Sequence, residues 1–600
     1  MSILASLARA YERLPNAPPF GFSLEKIGVI VGLNGDGSVA SVSPWFDGEG
    51  KKRKPRLMLV PQPVKRTSGP VANFLWDKTA YTLGVTIGEG KRTVREHATF
   101  KERHEKELEG TDDPGLKALL LFLRQWTPEQ FVAPLWSDDF KDQNVVFALE
   151  TERLQNRRLH DRPAAKELWG RVSSGSGESP QICLVTGQSG PVARLHPAIK
   201  GVWGGQSSGG SIVSFNLDAF TSYGHEQGDN APVSEAAAFA YTTALNTFLA
   251  DKKHRLQIGD ASTVFWADSE DAEAALLAEA AFPGFFDSAA VEAETTTDVK
   301  ILLERLRKGD QQLGEELALK SSELTRRVEK GVRFYVLGLA PNAARISIRF
   351  YYDSDFRELA ANYRRFIDDM RVEPPWRDPY APLWRYLVET AVLGKRENIP
   401  PNLVGEWMRS ILTGTNYPLS LLSSVLARIR ADGEINALRA SILRALLVRN
   451  YGMRPNNGDK KREAPVSLDP ENRNKGYLLG RLFAVYERVQ RQALGDKINA
   501  TIKDKFYGSA SAAPRNVFAA LERGSANHLS KIGKEKPGHR YNLEREIGTI
   551  MEAMEPGSDP FPASLTTTEQ ALFGLGYHHQ HSDFFKSRKG NQTDASGETA

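Results

Sequence analysis

The sequence predicts an α+β N-terminal half with irregular mixed sheets, followed by an all-α helical bundle in the C-terminal region. Three observations carry this. Short β-branched and aromatic runs bounded by Gly, Pro or Asn occur up to residue 352 and are gone beyond residue 375. From there on apolar residues recur at helical spacing, as in Ile435, Leu438, Ile442 and Leu446. A chain of 600 residues also exceeds what one hydrophobic core usually supports, so several domains are expected.

The opening "ILASLARAYERL" reads as an amphipathic helix, because Arg9, Glu12 and Arg13 interrupt the apolar run that a signal peptide needs. "KIGVIVGLNGDGSVASVSPW" predicts two strands joined by a turn at Asn34–Gly37, and "RLMLVPQ" a third. "RTVREHATFKERHEKEL" and "PGLKALLLFLRQW" predict helices, while "NVVFALE", "QICLVTG" and "SIVSFN" predict strands. "VSEAAAFAYTTALNTFLA" reads as a helix, followed by the strand "STVFWAD", an acidic helix and a charged helix around "VKILLERLRKG". "RFYVLGLAP" and "ARISIRFYYD" form a strand pair turning at Pro341–Asn342. Four helices follow: "PLWRYLVETAVLG", "LVGEWMRSILTG", "LSLLSSVLARIRA" and "INALRASILRALLVRN". A break rich in Pro, Asn, Gly and charge separates them from four more, which start at "YLLGRLFAVYERVQRQAL". The expected division is a mixed region at 1–375, a first helical part at 376–452, a second at 453–590 and a disordered tail at 591–600.

Composition narrows the functional classes. Hydrophobic content of 40% and charged content of 25% fit a folded chain rather than a disordered one. The single cysteine, Cys183, excludes an intramolecular disulfide and a cysteine-rich zinc site, and fits a reducing cytoplasm. The longest apolar run, "ALLLFL", is too short to span a bilayer, so no membrane association is expected. A net charge of +4 conceals segregation: residues 51–66 carry seven basic side chains and no acidic one. Residues 451–550 hold 19 Lys and Arg against 11 Asp and Glu, while 261–300 hold nine acids and one lysine. Such local fields suit a polyanion partner.

Enzyme readings fail on missing residues. "GGQSSGGS" within the glycine-rich stretch Arg194–Asn216 lacks the lysine of a phosphate-binding loop, and "GQSGP" does not match a nucleophile elbow. Cys183 reads as a buried, inert thiol. His160–Asp161 lacks the further ligands of a metal phosphohydrolase, and His578, His579, His581 and Asp583 read as an exposed polar tail. The expectation is no enzyme, no cofactor and no metal, with a metal-dependent nuclease or a general RNA-binding scaffold as the alternatives.

The residues instead suggest a nucleic-acid surface. Arg194–Asn216 sets five glycines and four serines around Lys200, Trp203 and Gln206. Glycines let a backbone approach phosphates closely, and short polar side chains suit sugar and base edges. A second loop follows with Tyr223, His225, Gln227 and Asn230, and "GPVANFLWDKTAYTLG" adds Asn73, Trp76 and Lys78. Two sets are expected to act. Lys51, Lys52, Arg53, Lys54, Lys65 and Arg66 would neutralise phosphates, with Lys78 and Lys200 as further nucleic-acid contacts. Asn73, Gly204, Gly205, Gln206, Ser207, Ser208, Ser211 and Asn230 would approach a groove. In "GYLLGRLFAVYERVQRQAL", Arg481, Arg488 and Arg491 are expected to form an outward basic stripe.

"CLVTGQSGPVARLHPAIKGVWGGQSSGGSIVSFNLDAFTSYGHEQGDNAPVSEAAAFAYTTALNTFL", "GPVANFLWDKTAYTLG" and "NKGYLLGRLFAVYERVQRQAL" together resemble the large subunit of type I-C CRISPR Cascade complexes, and the likeness runs along the whole chain. The resemblance implies a non-catalytic subunit beside the 5′ handle of a CRISPR RNA. Such a subunit recognises a protospacer-adjacent motif in double-stranded target DNA, helps open the duplex, and presents the displaced single strand to a helicase–nuclease. Its partners would be the backbone, repeat-processing and small subunits. The C-terminal part would resemble the small subunit, with Met453 one candidate internal start.

Overall fold

A computed structural model describes the chain except at residues 1, 16, 49–52, 65, 67–68, 89, 174–180, 287–295, 309–314, 330, 378–379, 454–462, 496–498, 556–558 and 587–600. The first element is the helix Ile3–Arg13, capped where Ser2 Oγ accepts the Ala5 N–H at 3.2 Å. Strands Phe22–Ile27 (β1), Val29–Leu33 (β2), Val39–Pro44 (β3), Phe46–Asp47 (β4), Lys54–Pro61 (β5), Trp76–Lys78 (β6) and Asn144–Leu149 (β7) follow. They build two small sheets, β1–β5–β4 and β3–β2–β7–β6, the second containing a parallel β2–β7 pair. β2 is buried along its length and reads as unbroken apolar sequence, as a strand covered on both faces should. The expected turn at Asn34–Gly37 is present: the Gly37 N–H donates to the Asn34 carbonyl at 3.0 Å. Gly37 sits at φ 86°, where a Cβ would lie 2.5 Å from the Phe122 nitrogen.

Helices Thr93–Glu107, Pro114–Gln125 and Pro163–Ser173 pack with the β3–β2–β7–β6 sheet. Val31, Leu33, Phe100, Leu119, Phe122, Phe147 and Trp169 share one core. Two expected strands fail. "QICLVTG" pairs only at Gln181–Ile182 (β8) with Ser189–Gly190 (β9), and Cys183 is buried in the turn that follows. "SIVSFN" forms no strand: Ile199↔Gly210 and Ser211↔Arg345 are isolated bridges. These elements, with most of the helix Glu235–Ala250, belong to one compact unit comprising 1–201, 206–247 and 343–345.

The second unit comprises 202–205, 248–342 and 346–600. Its sheet holds Arg255–Ile258 (β10), Ala261–Asp268 (β11), Arg333–Asn342 (β12) and Arg345–Asp355 (β13) in that spatial order, with Ala343 at φ 52° in the last turn. Phe265, Phe282, Phe334 and Phe356 pack beside it, and the same core continues through Trp407, Leu446, Leu482 and Phe573. The eight helices expected beyond residue 375 are present. Phe356–Met370 and Ile502–Ala512 are further helices that the sequence reading did not mark. The boundaries expected at 375 and 453 both fall inside this second unit, because its sheet and helices share one core; the first unit closes near residue 247. The expected tail at 591–600 lies outside the described residues.

Candidate nucleic-acid interface

Lys51, Lys52 and Lys65 lie outside the described residues; the remaining basic positions divide sharply. Arg53 and Lys54 are exposed beside the short β4–β5 pairing, with the Arg53 guanidinium 4.2 Å from the Phe46 ring centroid. Lys78 is exposed at the start of the helical turn Thr79–Thr82 and lines an open cleft of about 470 Å³ with Arg66, Arg92 and Tyr81. Lys200 is half exposed, its ammonium 3.5 Å from Glu25.

Arg66 is different. Its guanidinium pairs with the buried Asp77 carboxylate, donates to the Val71 carbonyl at 2.7 Å and stacks 4.0 Å from the Tyr81 ring. It clamps the turn while keeping 32% of its side chain exposed at the cleft. Asn73 also faces inward: it is 4% exposed, and its amide oxygen accepts the Val64 N–H at 3.1 Å. The Asn73–Lys78 turn is built from within. Asp77 accepts the Asn73 and Lys78 N–H groups, each at 2.8 Å. His104, fully buried, takes the Leu75 N–H on Nε2 at 2.8 Å and bonds the Phe100 carbonyl through Nδ1. Burial pushes this imidazole down to about 3, against a weaker opposing pull from the Phe100 carbonyl. The geometry requires the neutral ring with its proton on Nδ1. Leu75 is at φ 61°, so the turn is held in a conformation that its sequence alone disfavours. The sequence reading missed both Asp77 and His104.

The glycine-rich stretch is shaped by its own chain. A Cβ on Gly209, at φ 88°, would meet the Ile199 carbonyl oxygen at 2.7 Å, and Gly210 and Ile199 exchange backbone hydrogen bonds at 2.8 and 2.9 Å. Gly205 donates to the Val202 carbonyl at 3.0 Å, and Gly204 adopts φ 74°. These glycines serve backbone turns. Ser211 is buried, and its N–H donates to the Ala344 carbonyl at 3.3 Å. Gln206, Ser207 and Ser208 remain exposed at the loop tip. Tyr223, at φ 51°, is 99% exposed. Asn230 is consumed by its own loop: its oxygen accepts the Ser222 N–H at 3.0 Å, and its amide nitrogen donates to the carbonyls of His225 and Gln227.

The C-terminal basic stripe does not form. Arg481 is 2% exposed, donating to Gln580 at 2.9 Å and pairing with Glu546 at 3.5 Å. Arg491 pairs with Glu487 at 3.0 Å, and Arg488 lies 5.1 Å from the Phe584 ring centroid. The helix Lys475–Leu494 is buried on more than one face, because the helix Thr567–Lys586 and others surround it. The histidine cluster also inverts its expectation. His578 and His579 are buried on Thr567–Lys586, where burial pushes His578 down to about 4 and Tyr477 bonds His579 at 3.0 Å. Among the described residues no three His, Cys, Asp or Glu side chains are grouped to hold a metal ion. No helix among them is long and apolar enough to cross a membrane.

These features define a large α+β protein with a helical C-terminal region, whose N-terminal unit exposes cations, short polar side chains and an aromatic ring on turns and loops. The chain belongs to a family of CRISPR-associated proteins, Cas_Csd1, which matches residues 7–585. No curated protein matches the chain.

Proposed function

We propose that the chain is the large, non-catalytic subunit of a type I-C RNA-guided CRISPR surveillance complex in the cytoplasm. It reads a protospacer-adjacent motif in duplex DNA, supports R-loop formation and recruits a separate helicase–nuclease. The observation that carries this reading is the family match over nearly the whole chain. The physical logic is a division of labour: guide pairing reads sequence, while the protein reads backbone shape and a few base pairs. Arg53, Lys54, Lys78 and Lys200 supply phosphate contacts, and Gln206, Ser207 and Ser208 supply groove contacts; all seven are exposed. Asn73 and Asn230 act one step back, by fixing the loops.

The test is reconstitution of the complex with its CRISPR RNA, with and without this chain, followed by binding to duplexes that differ only in the adjacent motif. Lys54→Gln and Lys200→Gln should weaken all duplexes alike, each lowering the log–log salt slope by about 0.9. Gln206→Ala should change the ranking of motifs. Full motif discrimination by a complex lacking this chain would overturn the proposal, as would metal-dependent DNA cleavage by the isolated chain.

A further inference from the structure

The second unit holds a cleft of about 430 Å³ whose lining includes none of the seven proposed contact residues. Arg307, Lys308, Arg364 and Arg371 line it, with Trp376 and Tyr380 as half-buried rings at its wall. Asp368 and Glu373 are the lining acids, and Glu373 already pairs with Arg371 at 2.8 Å. The cleft is therefore cationic and ring-lined together.

From Trp376 the same chemistry continues as a ladder. The Arg385 guanidinium lies 5.0 Å from the Trp376 ring centroid and 4.9 Å from that of Trp384; Arg396 lies 3.8 Å from Trp384. Stacking on an indole occupies a guanidinium's face and leaves its N–H edge available, which is the edge that binds phosphate. Among the described residues, no carboxylate or carbonyl takes the guanidinium N–H groups of Arg364, Arg385 or Arg396. Arg307 is fixed by the carbonyl of Gly284 and lies 5.3 Å from the Tyr380 ring centroid.

We propose that the cleft and its arginine–tryptophan ladder form a site for single-stranded nucleic acid, with a base stacked in the cleft and adjoining phosphates on the ladder's guanidinium edges. Rings interleaved with cations are the chemistry of single-strand binding, because every unpaired base has a face to stack and every linkage a charge to neutralise. A paired base offers no free face to a cleft of this size, and an acidic peptide would use the cations without using the rings. The inference rests on the R-loop part of the proposed function and deepens it by naming where on the second unit a single strand would lie; it requires no adjacent motif.

The test is a fluorescence-anisotropy titration of the full-length chain with labelled oligothymidylate and oligouridylate across a salt series. Arg364→Gln and Arg396→Gln should each weaken binding several-fold and lower the log–log salt slope by about 0.7. Trp376→Ala should weaken it at least fivefold with the slope unchanged, and Trp376→Phe should restore part of the loss. Thermal melting of each variant separates lost stacking from lost fold. Preference for the deoxy or the ribo strand identifies the source, and either one supports the site. Unchanged affinity in all the folded variants would overturn it. So would equal competition by a duplex, or displacement by polyglutamate with no effect of Trp376→Ala, which would make this an acidic-protein surface. Because no complex or motif enters the assay, it can fail while the motif-reading proposal stands, and the reverse.

Discussion

Asp77 and His104 show what decides a loop at the scale of one residue. Asp77 is 1% exposed and neutralised by Arg66, and it bonds two backbone N–H groups of a turn that contains a left-handed leucine. Asp77→Ala leaves those donors and a guanidinium unpaired, so it should lower unfolding free energy by about 2–4 kcal/mol, measured as a fall in the urea midpoint. Lys78→Gln, on the exposed end of the same turn, should leave the midpoint within about 0.5 kcal/mol. The sequence made Asn73 look like a surface amide because amides beside glycines suit both recognition and loop bracing. Nothing local reveals that Val64, nine positions away, presents the N–H that Asn73 accepts. The ladder Trp376–Arg385–Trp384–Arg396 was harder still. Its members are scattered over twenty-one positions, and only the short helix Leu383–Val388 and the turns after it bring rings and guanidinium groups into register.

At the scale of elements, the helices were the most legible part, since a 3.6-residue period survives without knowledge of the partner. What the period did not reveal was the all-round burial of Lys475–Leu494. One signal was present: Leu478, Ala484 and Val485 lie off the face defined by Leu479, Leu482 and Tyr486, and an apolar arc that wide marks a buried helix. Glycine spacing was a second signal. A Cβ on Gly480 would collide with the Phe573 carbonyl oxygen, one on Gly476 with that of Glu569, and one on Gly576 with that of Tyr477. The helices Lys475–Leu494 and Thr567–Lys586 thus meet backbone to backbone. Replacing a helical glycine by alanine ordinarily stabilises by roughly 0.5–1 kcal/mol. Here the sign should reverse: Gly480→Ala should destabilise by about 2 kcal/mol or more, because the close approach must open. Gly524→Ala is the control, on a helix where a Cβ meets nothing within 4 Å, and it should raise the melting temperature or leave it unchanged. Equal responses from the two variants would remove the packing argument. The failed strand "SIVSFN" is the opposite lesson: alternation suggested a strand, but pairing needs a neighbour, and this segment finds only isolated bridges.

For the whole molecule, the change from mixed to purely helical sequence was legible, but it did not mark where a core ends. Phe265 on β11 and Phe334 on β12 share a core with Trp407 and Phe573, so strands and helices either side of residue 375 belong together. A composition shift records where strands stop; a core boundary records which faces bury each other, and that depends on pairings far apart in sequence. The same burial sets how the protein responds to acid. Desolvation holds His104 down at about 3, and His160 and His578 at about 4, all below the ordinary 6.5. The unfolded chain therefore binds more protons than the folded one between pH 6.5 and 4, so these sites stabilise the fold above pH 6.5 and lose that contribution as pH falls. Between pH 7 and pH 5 the loss is roughly 2 kcal/mol per histidine. His104 and His160 act on the first unit and His578 on the second. Denaturation should accordingly become easier in both units as pH drops from 7 to 5, followed by hydrogen exchange at amides of the Asn73–Lys78 turn and of the helix Thr567–Lys586. His104→Gln should flatten the pH slope for the turn and leave that of the helix intact, and His578→Gln should do the reverse. A slope that neither substitution changes would assign the acid sensitivity to carboxylates instead, since protonating His104 must break the Leu75 N–H bond that the neutral ring accepts.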